Sequence, residues 1–204
     1  PLDLTQDEFD RQFFDRILSY GDSNTDVLRR QAELHSRAND HISALRLDRR
    51  LAERCPDDPV VFYNLACSLS MTGRHEEARA AFESALAKVE ADERLYRSHL
   101  FVKIGNTRWG QGQYDQALQA YDRAESILGT EPAGPVTDND QPTSGWWQHW
   151  LDVQYWRIFV YYFLGRWHET AQLIERAGPA VELHGTPVQR AWFIAGHLGS
   201  VMRR

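Results

Sequence analysis

Three stretches of the chain repeat one pattern: "MTGRHEEARAAFESALAK" (Met71 to Lys88), "GQGQYDQALQAYDRAESIL" (Gly110 to Leu128) and, more loosely, "FLGRWHETAQLIERAGP" (Phe163 to Pro179). Self-similarity at this spacing means that one supersecondary unit is written several times, each copy unable to cover its own apolar face and each covered by the next. Aligning the copies on their turn residues puts Asn39, Gly73, Gly112 and Gly165 in one column, 34, 39 and 53 residues apart. Gly and Asn are the residues that close a helix in the left-handed conformation. Five residues later lie Ala44, Ala78, Ala117 and Thr170; nine later, Asp48, Phe82, Tyr121 and Ile174; twelve later, Leu51, Ala85, Ala124 and Ala177; seven earlier, Ala32, Ala66, Gly105 and Ile158. Small residues stand where two helices cross closely, and larger apolar ones where the next helix must be filled against. The repeating object is therefore a two-helix hairpin. A chain of 204 residues, 42% of them apolar, has material enough for a sizeable core built this way.

These positions resemble the tetratricopeptide repeat, a helix-turn-helix unit of about 34 residues. The fullest match is "DPVVFYNLACSLSMTGRHEEARAAFESALAK" (Asp58 to Lys88), with Phe62, Leu65, Ala66, Leu69, Gly73, Ala78, Phe82 and Ala85 on pattern. The first unit departs from it at Asp48 and Leu51, where an aromatic and an Ala are usual. The third carries Arg108 in an apolar place, and the fourth has Ile158 and Thr170 where small residues belong. The resemblance implies an all-α fold, a right-handed superhelical solenoid of tandem helix-turn-helix repeats, expected as one domain over 1–204. Its parts are an N-terminal helix over 5–20, repeats over 25–58, 59–92, 93–131 and 145–184, a loop over 132–144, and a C-terminal capping helix over 186–204. Thr5 and Glu8 supply a capping box for the first helix, whose Phe9, Phe13 and Ile17 share a face, and Pro187 suits the start of the last. Adjacent Trp192, Phe193 and Ile194 put apolar side chains on more than one side of that last helix. The Pro- and Gly-rich stretch from Gly129 to Gly145 reads as loop. A second resemblance covers residues 96–204, where "KIGNTRWGQGQYDQALQAYDRAESILG" and "WWQHWLDVQYWRIFVYYFLGRWHE" look like helical-repeat segments of large bacterial signal-transduction ATPases and regulators; no P-loop motif accompanies them.

A formal net charge of -6 and the lack of any Lys/Arg-rich run argue against nucleic acid as the partner. No apolar run reaches the roughly 18 residues that a membrane span needs, and two cysteines, Cys55 and Cys67, make no disulfide framework, so a cytoplasmic setting is expected. Catalytic motifs are equally absent from the sequence. "HEEAR" and "HETAQ" lack the second His of a zinc hydrolase, Gly110 and Gly112 follow no strand, and no Ser or Cys nucleophile motif occurs, so no metal, cofactor or catalytic residue is expected.

In the repeat family, the first helix of each unit lines a concave groove. Carried onto this chain, the resemblance places Arg29, Tyr63, Asn64, His99, Lys103, Asn106, Tyr155, Phe159 and Tyr162 in a peptide- or ligand-binding groove. Asn64 stands where an amide would hold an extended peptide backbone, Arg29 and Lys103 would favour acidic groups, and the late aromatics offer flat contact area. The same residues also have bland readings as packing within the stack. Trp146, Trp147 and Trp150 lie beyond an ordinary unit and require cover, from the long helix of the third unit or from a second copy of the chain. The expected function is a non-enzymatic protein-protein interaction module binding a peptide or partner helix. The alternatives are a regulatory sensor taking a small molecule at the aromatic C-terminal repeats, or an engineered or structural self-associating unit.

Overall fold

The computed structural model describes residues 5–20, 24–130 and 141–201. Those residues form ten α-helices and no strand: α1 (Gln6–Tyr20), α2 (Thr25–Arg37), α3 (His41–Arg54), α4 (Pro59–Met71), α5 (His75–Lys88), α6 (Arg94–Gly110), α7 (Tyr114–Leu128), α8 (Gln141–Phe163), α9 (Trp167–His184) and α10 (Pro187–Val201). The chain is all-α and built as a tandem helical repeat. It divides into two compact units, Pro1–Val89 and Glu90–Arg204.

All four expected turn residues adopt the left-handed conformation, with φ of 59° at Asn39, 77° at Gly73, 73° at Gly112 and 68° at Gly165. At each, the following residue donates its N–H five positions back, Asp40 to His35, Arg74 to Leu69, Gln113 to Arg108 and Arg166 to Tyr161, every bond at 2.9 Å. These are Schellman closures, which satisfy the last carbonyls of one helix and reverse the chain into the next.

In the first unit, α2 pairs with α3, α3 with α4 and α4 with α5, around Leu28, Ala32, Leu47, Leu51 and Val61. Side-chain caps start these helices: the Asn24 side-chain oxygen accepts from the Asp26 N–H at 2.9 Å, and the Asp58 carboxylate from the Val60 N–H at 2.8 Å. The capping box of α1 forms as expected, with the Thr5 N–H donating to Glu8 Oε2 at 2.9 Å. Its aromatic face is only half covered, Phe9 and Phe13 remaining 55% and 51% exposed. What ties α1 to α2 is polar, the buried Gln31 amide donating to the Arg11 carbonyl at 3.0 Å and to Asp15.

In the second unit, α6 to α10 enclose a larger core that includes Tyr121, Leu151, Val153, Val160, Ile174, Val181 and Phe193. Buried Arg157 on α8 pairs with Asp122 and Glu125 of α7, and Arg176 of α9 donates to Glu125 at 2.5 Å, tying three helices together. Of the loop expected over 132–144, residues 132–140 are outside the described residues; α8 begins at Gln141, inside the expected loop. Pro142 then sits in the first turn, where the N–H it lacks would have had no intrahelical partner.

The register columns become packing columns. Ala44, Ala78, Ala117 and Thr170 are all 0% exposed, and Thr170 tolerates burial because its hydroxyl donates to the Arg166 carbonyl at 2.9 Å. In the next column Phe82 and Tyr121 fill their sites completely, whereas Asp48 places a carboxylate there. Gly105 belongs where it is for a steric reason: a Cβ on it would stand 2.3 Å from the Tyr121 ring.

Candidate functional site

The nine residues expected in a groove fall into both units. Three lie in the first. Arg29 on α2 donates to Asp58 Oδ2 at 2.7 Å, so its charge is engaged by the residue that caps α4. Partial burial works to raise the Asp58 carboxyl, but the bonds from Arg29 and from the backbone N–H groups outweigh it and hold the group below the usual carboxylate range. Tyr63 on α4 packs edge-on against Phe82 at 5.8 Å, a contact within the repeat. Asn64 is exposed and lines, together with Arg29, a pocket of about 160 Å³ between α2, α3 and α4. The fold thus brings Arg29 and Asn64 to one cavity, and Tyr63 is not part of its lining.

Six lie in the second unit. His99, Lys103 and Asn106 sit on α6; Tyr155, Phe159 and Tyr162 sit on α8. The His99 ring meets the His149 ring edge-on at 5.6 Å. Burial, reinforced by Lys103 and His149, pushes the His99 imidazole down to about 4, so it is neutral at physiological pH. Burial likewise lowers His149 and raises Asp152, whose Oδ1 accepts from the Gln189 side-chain amide of α10 at 3.1 Å. Asn106 Oδ1 accepts from the Tyr121 hydroxyl at 2.9 Å, so its carbonyl serves the joint between α6 and α7.

Tyr155, Phe159 and Tyr162 line an apolar slot of about 320 Å³ completed by Ile158, Phe163, Trp192, Phe193 and Ala195. Tyr155 and Phe159 stack nearly parallel at 6.2 Å, and Trp192 of α10 meets both edge-on, at 6.0 and 6.5 Å. Phe163 and Trp192 are 56% and 50% exposed, so two rings at the slot face water. Burial and the nearby Asp152 raise the Tyr155 hydroxyl, which keeps it a neutral hydrogen-bonding group.

Sequence reasoning had three rings of this slot and missed its α10 wall, although the adjacent Trp192, Phe193 and Ile194 marked that helix as apolar on more than one side. His149, Asp152 and Gln189 were also missed. Asp152 precedes Tyr155 by three residues, so extending the stripe of Tyr155, Phe159 and Tyr162 backward along α8 would have found it. Val102, one residue before Lys103 on α6, is buried in the core. Trp146 and Trp150 are covered from within their own unit. The Trp146 indole N–H donates to the Leu128 carbonyl at 3.3 Å, Arg176 lies over Trp150, and Trp147 stacks on His184 at 4.4 Å. Among the described residues, no group of three or more His, Cys, Asp or Glu is placed to hold a metal ion, and no helix is long and apolar enough to cross a membrane.

Residues 57–129 match the family model for the tetratricopeptide repeat. No curated protein matches the chain. Among solved structures, the chain is similar to MamA, at 15% identity with a TM-score of 0.63, over 88% of this chain and 96% of that one. It is similar to a thermophilic TPR protein of Thermus thermophilus, at 16% identity and a TM-score of 0.63, over 92% and 89% of the two chains. A third likeness is to the C-terminal part of a TPR repeat-containing protein from Cytophaga hutchinsonii, at 12% identity and a TM-score of 0.61, over 95% and 66%. At such identities the likeness is one of fold.

Proposed function

This chain carries tetratricopeptide repeats, and on that premise we propose that it is a non-enzymatic interaction module that holds a partner peptide or helix against the second unit, seating an apolar side chain in the slot between α8 and α10. The observation that carries this reading is the slot itself: a concave lining of rings, two of them half exposed, is an anchor pocket of the kind that dominates binding energy at interfaces. Asp152, close enough to Tyr155 to raise its hydroxyl, and His149 and Lys103, which interact with Asp152, supply polar groups that would set the partner's direction. The two cysteines, neither of them in a disulfide, fit a reducing and hence cytoplasmic setting.

The test is retention of partners on the immobilised chain, compared between wild type and a Tyr155→Ala/Phe159→Ala variant whose helicity and melting are checked in parallel. Loss of specific partners from a folded variant supports the reading; identical partner sets for the two proteins overturn it. The slot volume also lies at the low end of the range for small-molecule sites, which keeps the sensor reading alive. A metabolite that raises the melting temperature of the wild type but not of the variant would favour that reading over a peptide.

A further inference from the structure

The nine-after column holds Phe82 in the second repeat and Tyr121 in the third, both buried and packed against the first helix of their own hairpin, Phe82 on Tyr63 and Tyr121 on Gly105. In the first repeat the same place is taken by Asp48, whose side chain is much smaller than either ring. The volume that a ring would occupy is left as the pocket of about 160 Å³ between α2, α3 and α4. Its deep lining is Ala32, Asp48, Leu51 and Ser68, all buried, while Glu33, Ser36 and Asn64 are exposed at its mouth. Asp48 is 3% exposed, and one of its oxygens, Oδ2, accepts from the Ser68 hydroxyl at 2.6 Å. The cations that line the pocket pair with carboxylates other than Asp48: Arg29 with Asp58, and Arg37 with Glu33 of the mouth at 2.9 Å.

We propose that this pocket is a receptor for a primary ammonium on a short alkyl chain, the lysine side chain of a partner, with Asp48 as the counter-charge at its floor. Three features of the site select that chemistry. The cavity admits an unbranched alkyl stem past Ala32 and Leu51 and little more. Ser68 already occupies one carboxylate oxygen, which disfavours the two-point grip of a guanidinium and suits the compact ammonium with its rotatable donors. The chain as a whole carries a formal charge of -6, so cationic partners are drawn toward it. The site also explains an otherwise costly choice of residue. Burial pushes the Asp48 carboxyl up to about 6, so at neutral pH the protein holds an uncompensated buried charge that an arriving cation neutralises. The pocket belongs to the first unit and is independent of the aromatic slot in the second.

The experiment is an NMR titration of the whole chain with n-butylammonium, which is the lysine side chain without its backbone, and with n-butanol as the uncharged control. Saturable shifts of the Ser68 and Asn64 amides are expected with the ammonium and not with the alcohol. Binding at pH 7 should be about tenfold tighter than at pH 5, because the ionised fraction of a group titrating near 6 changes by that factor. Asp48→Asn retains the shape and an acceptor for Ser68 and should abolish binding; Asp48→Phe, which restores the ring of the other repeats, should fill the pocket and do the same. An acetylated lysine tripeptide binding more tightly than cadaverine identifies a partner's side chain as the source; the reverse order identifies a free amine and overturns the assignment to a protein partner. Equal shifts with butanol, undiminished binding by a folded Asp48→Asn chain, or a flat response between pH 5 and 7 would each overturn the site. None of these failures bears on partner retention by the aromatic slot, which is read separately.

Discussion

A carboxylate raised by burial acts on stability in a direction opposite to the common one. The folded-state value of Asp48, about 6, lies above that of an unfolded aspartate. The contribution of this group is therefore favourable below the unfolded value near 4 and is lost as pH rises through 6. Asp48→Asn should be more stable than wild type at pH 7.5, by on the order of 2–3 kcal/mol, and the difference should vanish near pH 4. Urea midpoints of both proteins at the two pH values check this; a variant less stable at neutral pH would contradict it. A second residue-scale prediction concerns Gly105. Replacing it with Ala gains about 1 kcal/mol of helix propensity but drives a methyl into the Tyr121 ring at a cost of about 1–3 kcal/mol, for a net loss of up to about 2 kcal/mol. Pairing it with Tyr121→Leu should recover most of that loss, measured as a double-mutant cycle in chemical denaturation. The sequence made the turn column and the small-residue column plain, because backbone handedness and close helix crossings leave few residue choices. It marked Asp48 as a departure without revealing a pocket, since a cavity is a difference between what a column holds and what its neighbours leave room for.

Between elements, a polar set of Arg157, Glu125, Asp122 and Arg176 joins α7, α8 and α9. Arg157 is buried, so Glu125→Ala strips a partner from a desolvated charge and should cost about 3 kcal/mol. The pair of Arg166 and Glu169 lies at the surface, and Glu169→Ala should leave stability nearly unchanged. Thermal melts of the two variants side by side give the comparison; equal losses would mean that burial of Arg157 does not matter. A further consequence follows for acid. His99 titrates near 4 when folded, below the ordinary imidazole value, so protons favour the unfolded chain as pH falls from 6.5 toward 4. His99→Gln should lessen the acid sensitivity of the second unit, seen as a smaller fall in melting temperature between pH 7 and pH 5. These element-level facts were largely illegible in the sequence. α8 carries rings on all sides, so no periodicity declares which face meets α10, and the pairing of Gln189 with Asp152 spans 37 residues. The start of α8 was hidden for another reason: Pro and Gly near a helix start look the same as Pro and Gly in a loop.

For the whole molecule, the division at Val89 and Glu90 leaves each side with its own apolar core and its own pair of turn-closed hairpins. Repeat proteins draw their stability from units and their nearest neighbours. A fragment of residues 90–204 should therefore remain helical and melt cooperatively, with loss of helical circular dichroism as the contrary result. The repeat architecture was legible at this scale because it is written several times over, whereas each binding feature is written once. The four left-handed closures carry one more implication. Their geometry is held by main-chain bonds and by a single Gly or Asn, and it asks nothing of the side chains that face a partner. Mutation can therefore redraw the contact surfaces of such a chain while its joints stay put, and a designer can transplant a new recognition face onto α4 or α8 without retuning the bends beside them.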